Sequence, residues 1–162
     1  MAYKKREELE ESHFEFIEGE FVNIKQSTIR SVEGGHIELQ QVGALSIDGE
    51  KIEITQGASC ILRGTNINLH QSVSAITAAD NVSVNFSLSS MTLSREQIVT
   101  SRSAVGFMAS KNIIAENSTA FFVIANNIEG SMTTLLDLRS AIAFGAVFGG
   151  IWGFLNLLFR RK

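Results

Sequence analysis

The sequence predicts an all-β solenoid, a single-stranded β-helix of fifteen-residue coils stacked seven to eight high, followed by a C-terminal transmembrane α-helix. Three observations predict it. Fifteen-residue segments repeat along most of the chain, one column of that repeat is always a β-branched aliphatic residue, and a long uncharged stretch precedes a basic C-terminus.

The repeat decides the main body. Rows of fifteen read "FVNIKQSTIRSVEGG" from Phe21, then "HIELQQVGALSIDGE", "KIEITQGASCILRGT", "NINLHQSVSAITAAD" and "NVSVNFSLSSMTLSR". After one inserted residue, Glu96, they resume as "QIVTSRSAVGFMASK", "NIIAENSTAFFVIAN" and a partial "NIEGSMTTLL". The second column holds Val22, Ile37, Ile52, Ile67, Val82, Ile98, Ile113 and Ile128, and is expected to form one buried aliphatic spine. The fourth column begins Ile24, Leu39, Ile54, Leu69 and Val84, and apolar residues at spacing two mean a strand with one buried face. Small residues in the seventh column (Ser27, Gly57, Ser72) and the fourteenth (Gly34, Gly49, Gly64) predict two corners between two strands in each coil. A fifteen-residue unit cannot bury its own isoleucine, so each row is stable only when stacked on the next. Stacking also predicts side-chain ladders, of Gln26, Gln41, Gln56 and Gln71 and of Asn66, Asn81, Asn112 and Asn127. Cys60 shares a column with Leu45 and Ala75, which predicts packing.

Three segments follow: residues 1–20 as a charged helix and cap, residues 21–136 as the solenoid, and residues 137–162 as an anchor with a basic tail. "YKKREELEES" is expected to form a short charged helix, and "HFEFIEGEF" a partial first coil. The absence of proline suits an unbroken hydrogen-bond ladder.

The rows that carry the strongest repeat, "NINLHQSVSAITA" and "KIEITQGASCILR", resemble the bactofilins, bacterial β-helical proteins whose rungs start V-x-I and later place a small residue before an apolar one. The resemblance covers residues 21–136 and implies a cytoskeletal scaffold that polymerises, often at a membrane. The sequence departs from that family in its hydrophobic C-terminal segment and its glycine placement. The Thr-x-Thr face of fifteen-residue-coil ice-binding proteins is absent.

Residues 141–159 carry no charge, and nineteen residues of helix span about 28 Å, enough for a hydrocarbon core of about 30 Å. A thin solenoid could not surround a helix apolar on every side. Trp152 and the basic tail Arg160, Arg161 and Lys162 are placed for the membrane interface. Ala141, Gly145, Gly149 and Gly153 fall at spacing four on one helix face, a pattern that lets helices approach closely, with a copy of the chain or with another membrane protein as partner. The basic tail favours a cytoplasmic C-terminus, but a tail anchor need move only three residues across, so a cytosolic solenoid is expected.

Outward positions change along the stack. The first three rows carry nine charged residues from Lys25 to Arg63, whereas residues 66–95 carry only Asp80 and Arg95. In "AFFVIA" alternation fails, so both faces of that strand are apolar. Met91, Leu93, Phe107, Met108, Phe121 and Phe122 are therefore expected to form an interface stripe toward lipid, the anchor helix or another subunit. The alternative places these residues inside a widened coil.

Charge and motifs limit the chemistry. A net charge of −3 gives no basic footprint for nucleic acid, and the single cysteine closes no internal disulfide. His13, His36 and His70 are scattered, and no metal, cofactor or nucleophile motif is present. Glu38 and Glu53 share the third column in successive rungs, which reads as a solvated face rather than a catalytic pair. The expectation is a non-enzyme without cofactor or metal: a self-associating membrane scaffold or, as the alternative, an accessory subunit of a larger membrane complex.

Overall fold

The computed structural model describes residues 7–10 and 13–137. They form eight strands in one sheet: β1 (Glu7–Glu10), β2 (His13–Lys25), β3 (Thr28–Gln40), β4 (Gly43–Thr55), β5 (Ala58–His70), β6 (Val73–Asn85), β7 (Leu88–Ser101) and β8 (Ala104–Asp137). Every strand pairs in parallel with the next in chain order. This is a parallel β-solenoid of about seven coils, the last two running through β8 without a break. Among the described residues no helix is long and apolar enough to cross a membrane, and the expected anchor, residues 137–162, lies outside them apart from Asp137.

The register follows the fifteen-residue period. Ile37 lies opposite Ile52, Ile52 opposite Ile67, Ile67 opposite Val82, Val82 opposite Ile98 and Ile98 opposite Ile113. These spine residues are all buried, as is Val22. Ile128 departs from the expectation: it ends the described part of its column and is 47% exposed, because no described coil covers it.

Each coil has three faces, not the two that the small residues predict. In the coil that starts at Val22 the buried positions are Val22 and Ile24, then Ser27 and Ile29, then Val32. Spacing two along a strand widens to three at each corner. Pairing between β3 and β4 lapses at the same places: Arg30 and Gly35 are passed over, and residues 26–27 and 41–42 separate the strands. The fourteenth column is not a tight turn. A Cβ on Gly49 would sit 2.6 Å from the Gly34 carbonyl oxygen and 2.8 Å from Ile37 Cδ1, so glycine there permits close approach of successive coils.

The sharpest corner lies in the sixth column. Gln26, Gln41, Gln56, Gln71, Phe86, Arg102 and Asn117 all have positive φ, between 47° and 57°. No glycine serves there, although a left-handed residue with a Cβ costs about 1–2 kcal/mol. Two sets of hydrogen bonds oppose that cost. The glutamine amides donate up the stack, Gln26 to Gln41 at 3.0 Å, Gln41 to Gln56 at 3.2 Å and Gln56 to Gln71 at 3.1 Å, which is the expected ladder. The next residue, often serine, points inward and donates back across the turn: Ser27 to the Lys25 carbonyl at 2.9 Å, Ser72 to that of His70 at 2.8 Å and Ser103 to that of Ser101 at 2.8 Å. Buried hydroxyls in the seventh column thus close the corner.

The N-terminus corrects another expectation. Glu7–Glu10 is a strand rather than a helix, with Glu7 opposite Val22 and Glu10 opposite Lys25. The free edge of β2 offers unpaired backbone groups, and pairing with them outcompetes the local helical preference of a charged segment. "HFEFIEGEF" enters β2 as the expected partial coil.

Candidate interaction surface

Outward side chains of the face after Arg30 occupy the eleventh and thirteenth columns. In register, the eleventh reads Ser31, Ser46, Ile61, Ile76, Met91 and Phe107. Phe122 extends it, its ring stacked on that of Phe107 with centroids 5.3 Å apart. The thirteenth runs from Glu33 and Asp48 through Arg63, Ala78 and Leu93 to Ala109. One flat face therefore turns from polar and acidic in the first coils to apolar in the later ones.

Four of the six expected stripe residues share this face: Met91, Leu93, Phe107 and Phe122. Phe121 sits at the adjoining corner and is 56% exposed. Met108 does not belong to the stripe; at 1% exposure it is core, because it falls in the inward column of Val32, Ile47 and Leu62. The alternation test fails here because inward and outward neighbours are both apolar. The helix-face residues Ala141, Gly145, Gly149 and Gly153, and the interfacial Trp152, Arg160, Arg161 and Lys162, lie outside the described residues.

Among the described residues the neighbouring face is also free of charge beyond Arg30. Leu45 (53% exposed), Val73 and Leu88 point outward. Cys60 stands among them, exposed rather than packed as its column predicts, because that column faces out. A shallow groove of about 390 Å³ runs there over Ala58, Cys60, Val73 and Ala75.

The inserted residue opens a second groove. Ala79 lies opposite Ser94, yet Asn81 lies opposite Gln97, so Arg95 and Glu96 bulge from the ladder. Toward β8 the pairing lapses from Leu93 to Gln97. The Ser94 hydroxyl lies between two carbonyl acceptors, Asp80 at 2.5 Å and Gln97 at 2.9 Å, and Arg95 Nη1 meets Asp80 Oδ1 at 3.2 Å. The groove, of about 710 Å³, has Arg63, Arg95 and Lys111 around it and Ala78, Leu93, Ala109 and Ile124 in its lining. The bulge also divides the expected asparagine ladder, which survives as Asn81 to Asn66 at 3.3 Å and Asn127 to Asn112 at 3.0 Å.

On the polar face the coil brings together residues that look scattered in the sequence. His36 Nε2 lies 3.0 Å from Glu38 Oε1, and Glu38 is in register with Glu53, so ligand atoms of all three lie within 4.8 Å of one another. The signal for this cluster was the fifteen-residue offset combined with spacing two. Its charges are already answered: Lys51 Nζ is 2.8 Å from Glu53 Oε1, and the Asn23 amide donates to Glu38 Oε2 at 2.9 Å. The Lys51 hydrogen bond holds the Glu53 carboxyl below its ordinary value. A cation entering here would have to displace Lys51.

No family model, no curated protein and no solved structure matches this chain. The surface itself must carry the functional reading.

Proposed function

We propose that this protein is a membrane-anchored structural scaffold that self-associates, in the manner of the bactofilins that its rungs resemble. The observation that carries the reading is the apolar outer face of Ile61, Ile76, Met91, Phe107 and Phe122. Ile61, Ile76 and Met91 are 36%, 42% and 37% exposed, more than an isolated solenoid has reason to leave in water. The rest of the molecule suits a rigid support: parallel pairing joins every coil to the next, interrupted only locally at the Glu96 insertion, around a spine buried from Val22 to Ile113. The anchor is the uncharged stretch 141–159, with its glycines at 145, 149 and 153 as a second contact between copies.

Mass measurement of the full chain, purified alone in a mild neutral detergent, tests the reading. A defined homo-oligomer or filament is expected. A chain that stays monomeric, or aggregates until another membrane protein is supplied, would replace self-association by the accessory-subunit role.

A further inference from the structure

The bulge groove has a composition that the solenoid does not need for its own stability. Its floor follows the thirteenth column, Ala78, Leu93 and Ala109, with Ile124 beyond, and its rim carries Arg63, Arg95 and Lys111. Among the described residues neither Arg63 nor Lys111 has an ion-pair partner, although Asp48 is in register with Arg63. Among the described residues Asp80 is the one carboxylate lining the groove, and it is held by Arg95. Ser110 also lines it, and its buried hydroxyl oxygen has no hydrogen-bond partner among the described residues. A single extra residue breaks the ladder at this point, which frees backbone from sheet pairing beside Arg95.

Charge along the same edge gives the groove a direction. Toward the N-terminus the edge is acidic, with Glu18, Glu20, Glu33, Asp48 and Glu50 around one concavity that Arg63 bounds on the side of the groove. An anion is repelled there and drawn to the later coils.

We infer that the groove at the Glu96 insertion binds an anionic amphiphile, the acidic headgroup of a membrane lipid, with the negative group on the basic rim of Arg63, Arg95 and Lys111 and the acyl chain along Leu93, Ala109 and Ile124. A basic rim around an apolar floor matches both halves of such a molecule, whereas a free phosphate would use only the rim. The acidic edge of a second copy offers charge without an apolar tail and leaves the floor uncovered. That the ligand is a lipid rests on the membrane reading above; that it is an anionic amphiphile does not.

The test titrates the full chain in neutral detergent with dihexanoyl phosphatidylglycerol, dihexanoyl phosphatidylcholine and inorganic phosphate, and follows hydrogen exchange at amides 93–97 and 109–111. Protection by phosphatidylglycerol well beyond that by phosphatidylcholine or phosphate is expected. The double variant Arg63→Gln/Lys111→Gln should keep its thermal midpoint without lipid yet bind about thirty-fold more weakly, each basic residue near an anionic surface contributing about five-fold. Equal protection by the two lipids, or by phosphate alone, would overturn the inference, as would a double variant of unchanged affinity. Protection by added unlabelled protein, abolished when Glu33 and Asp48 are neutralised, would assign the groove to a second copy instead. If the chain stays soluble without detergent, the anchor reading fails, and the same titration in plain buffer still decides the groove.

Discussion

At the scale of single residues, the corner in the sixth column and one buried hydroxyl make the sharpest claims. Gln56 holds φ at 55° and links Gln41 to Gln71 through its amide. Gln56→Ala loses the ladder and keeps the left-handed cost, while Gln56→Gly loses the ladder and is released from it. The glycine variant should therefore be more stable than the alanine variant by about 1 kcal/mol in chemical denaturation. The reverse order would mean that the backbone is not strained there. Thr100 presents a different imbalance. It is 1% exposed in the inward column of Leu69 and Val84, and its Oγ1 has no partner among the described residues. Thr100→Val keeps the shape and removes the unsatisfied oxygen, so it should raise stability by about 1 kcal/mol, read from the denaturation midpoint at constant slope.

At the scale of the coil, the interior changes chemistry along the stack. Where early coils bury Ala44, Ile47 and Leu62, the middle ones bury Ser74, Thr77, Ser89 and Thr92. These four close a small network: Ser74 donates to Ser89 at 3.0 Å, Thr77 to Ser74 at 3.1 Å and Thr92 to Ser89 at 2.9 Å. Ser89→Ala leaves the buried hydroxyls of Ser74 and Thr92 without their acceptor and should cost about 1–3 kcal/mol. Replacing all four together, Ser to Ala and Thr to Val, should cost much less than the sum of the single changes, because no orphan remains. Additive losses in unfolding measurements would contradict a coupled network. Such hydroxyls also limited what the sequence disclosed. Columns two and four announce themselves by Ile, Leu and Val, so the spine, the period and the Glu96 insertion were legible. The third face was not, because its neighbour starts with Ser27, Ser72 and Ser103, polar residues that face inward to close a turn. The stripe was legible as apolar content but not as direction: Phe107 and Met108 are adjacent, both apolar, and only the position of the corner decides that Met108 is core. Likewise β1 is strand because of an edge fifteen residues away, which no local preference encodes.

At the scale of the whole molecule, the proposed assembly joins two weak contacts. From Ile61 to Phe122 the apolar face is a single outward column five coils long, about 20 Å at the usual strand separation, a narrow strip beside the ~1,200 Å² that stable pairs typically bury. Alone it is too small to hold two copies at low concentration. In that proposal the glycines at 145, 149 and 153 supply a likewise modest contact, and a copy held by one contact would be presented to the other at high effective concentration. Breaking either should then lower oligomer mass only partly, with the double variant falling further than the two effects taken separately predict. Met91→Glu with Phe107→Glu charges the outer face without touching the spine, since both side chains point away from the core. Gly149→Ile would block close approach of the proposed anchor helices and changes no residue of the solenoid. Light scattering in mild detergent, over a hundred-fold range of protein concentration, reads each shift, with circular dichroism confirming that the coils stay folded. An outer-face variant that assembles as the parent chain does, beside a Gly149→Ile variant that falls apart, would assign association to the helix alone and leave the apolar face for a different partner.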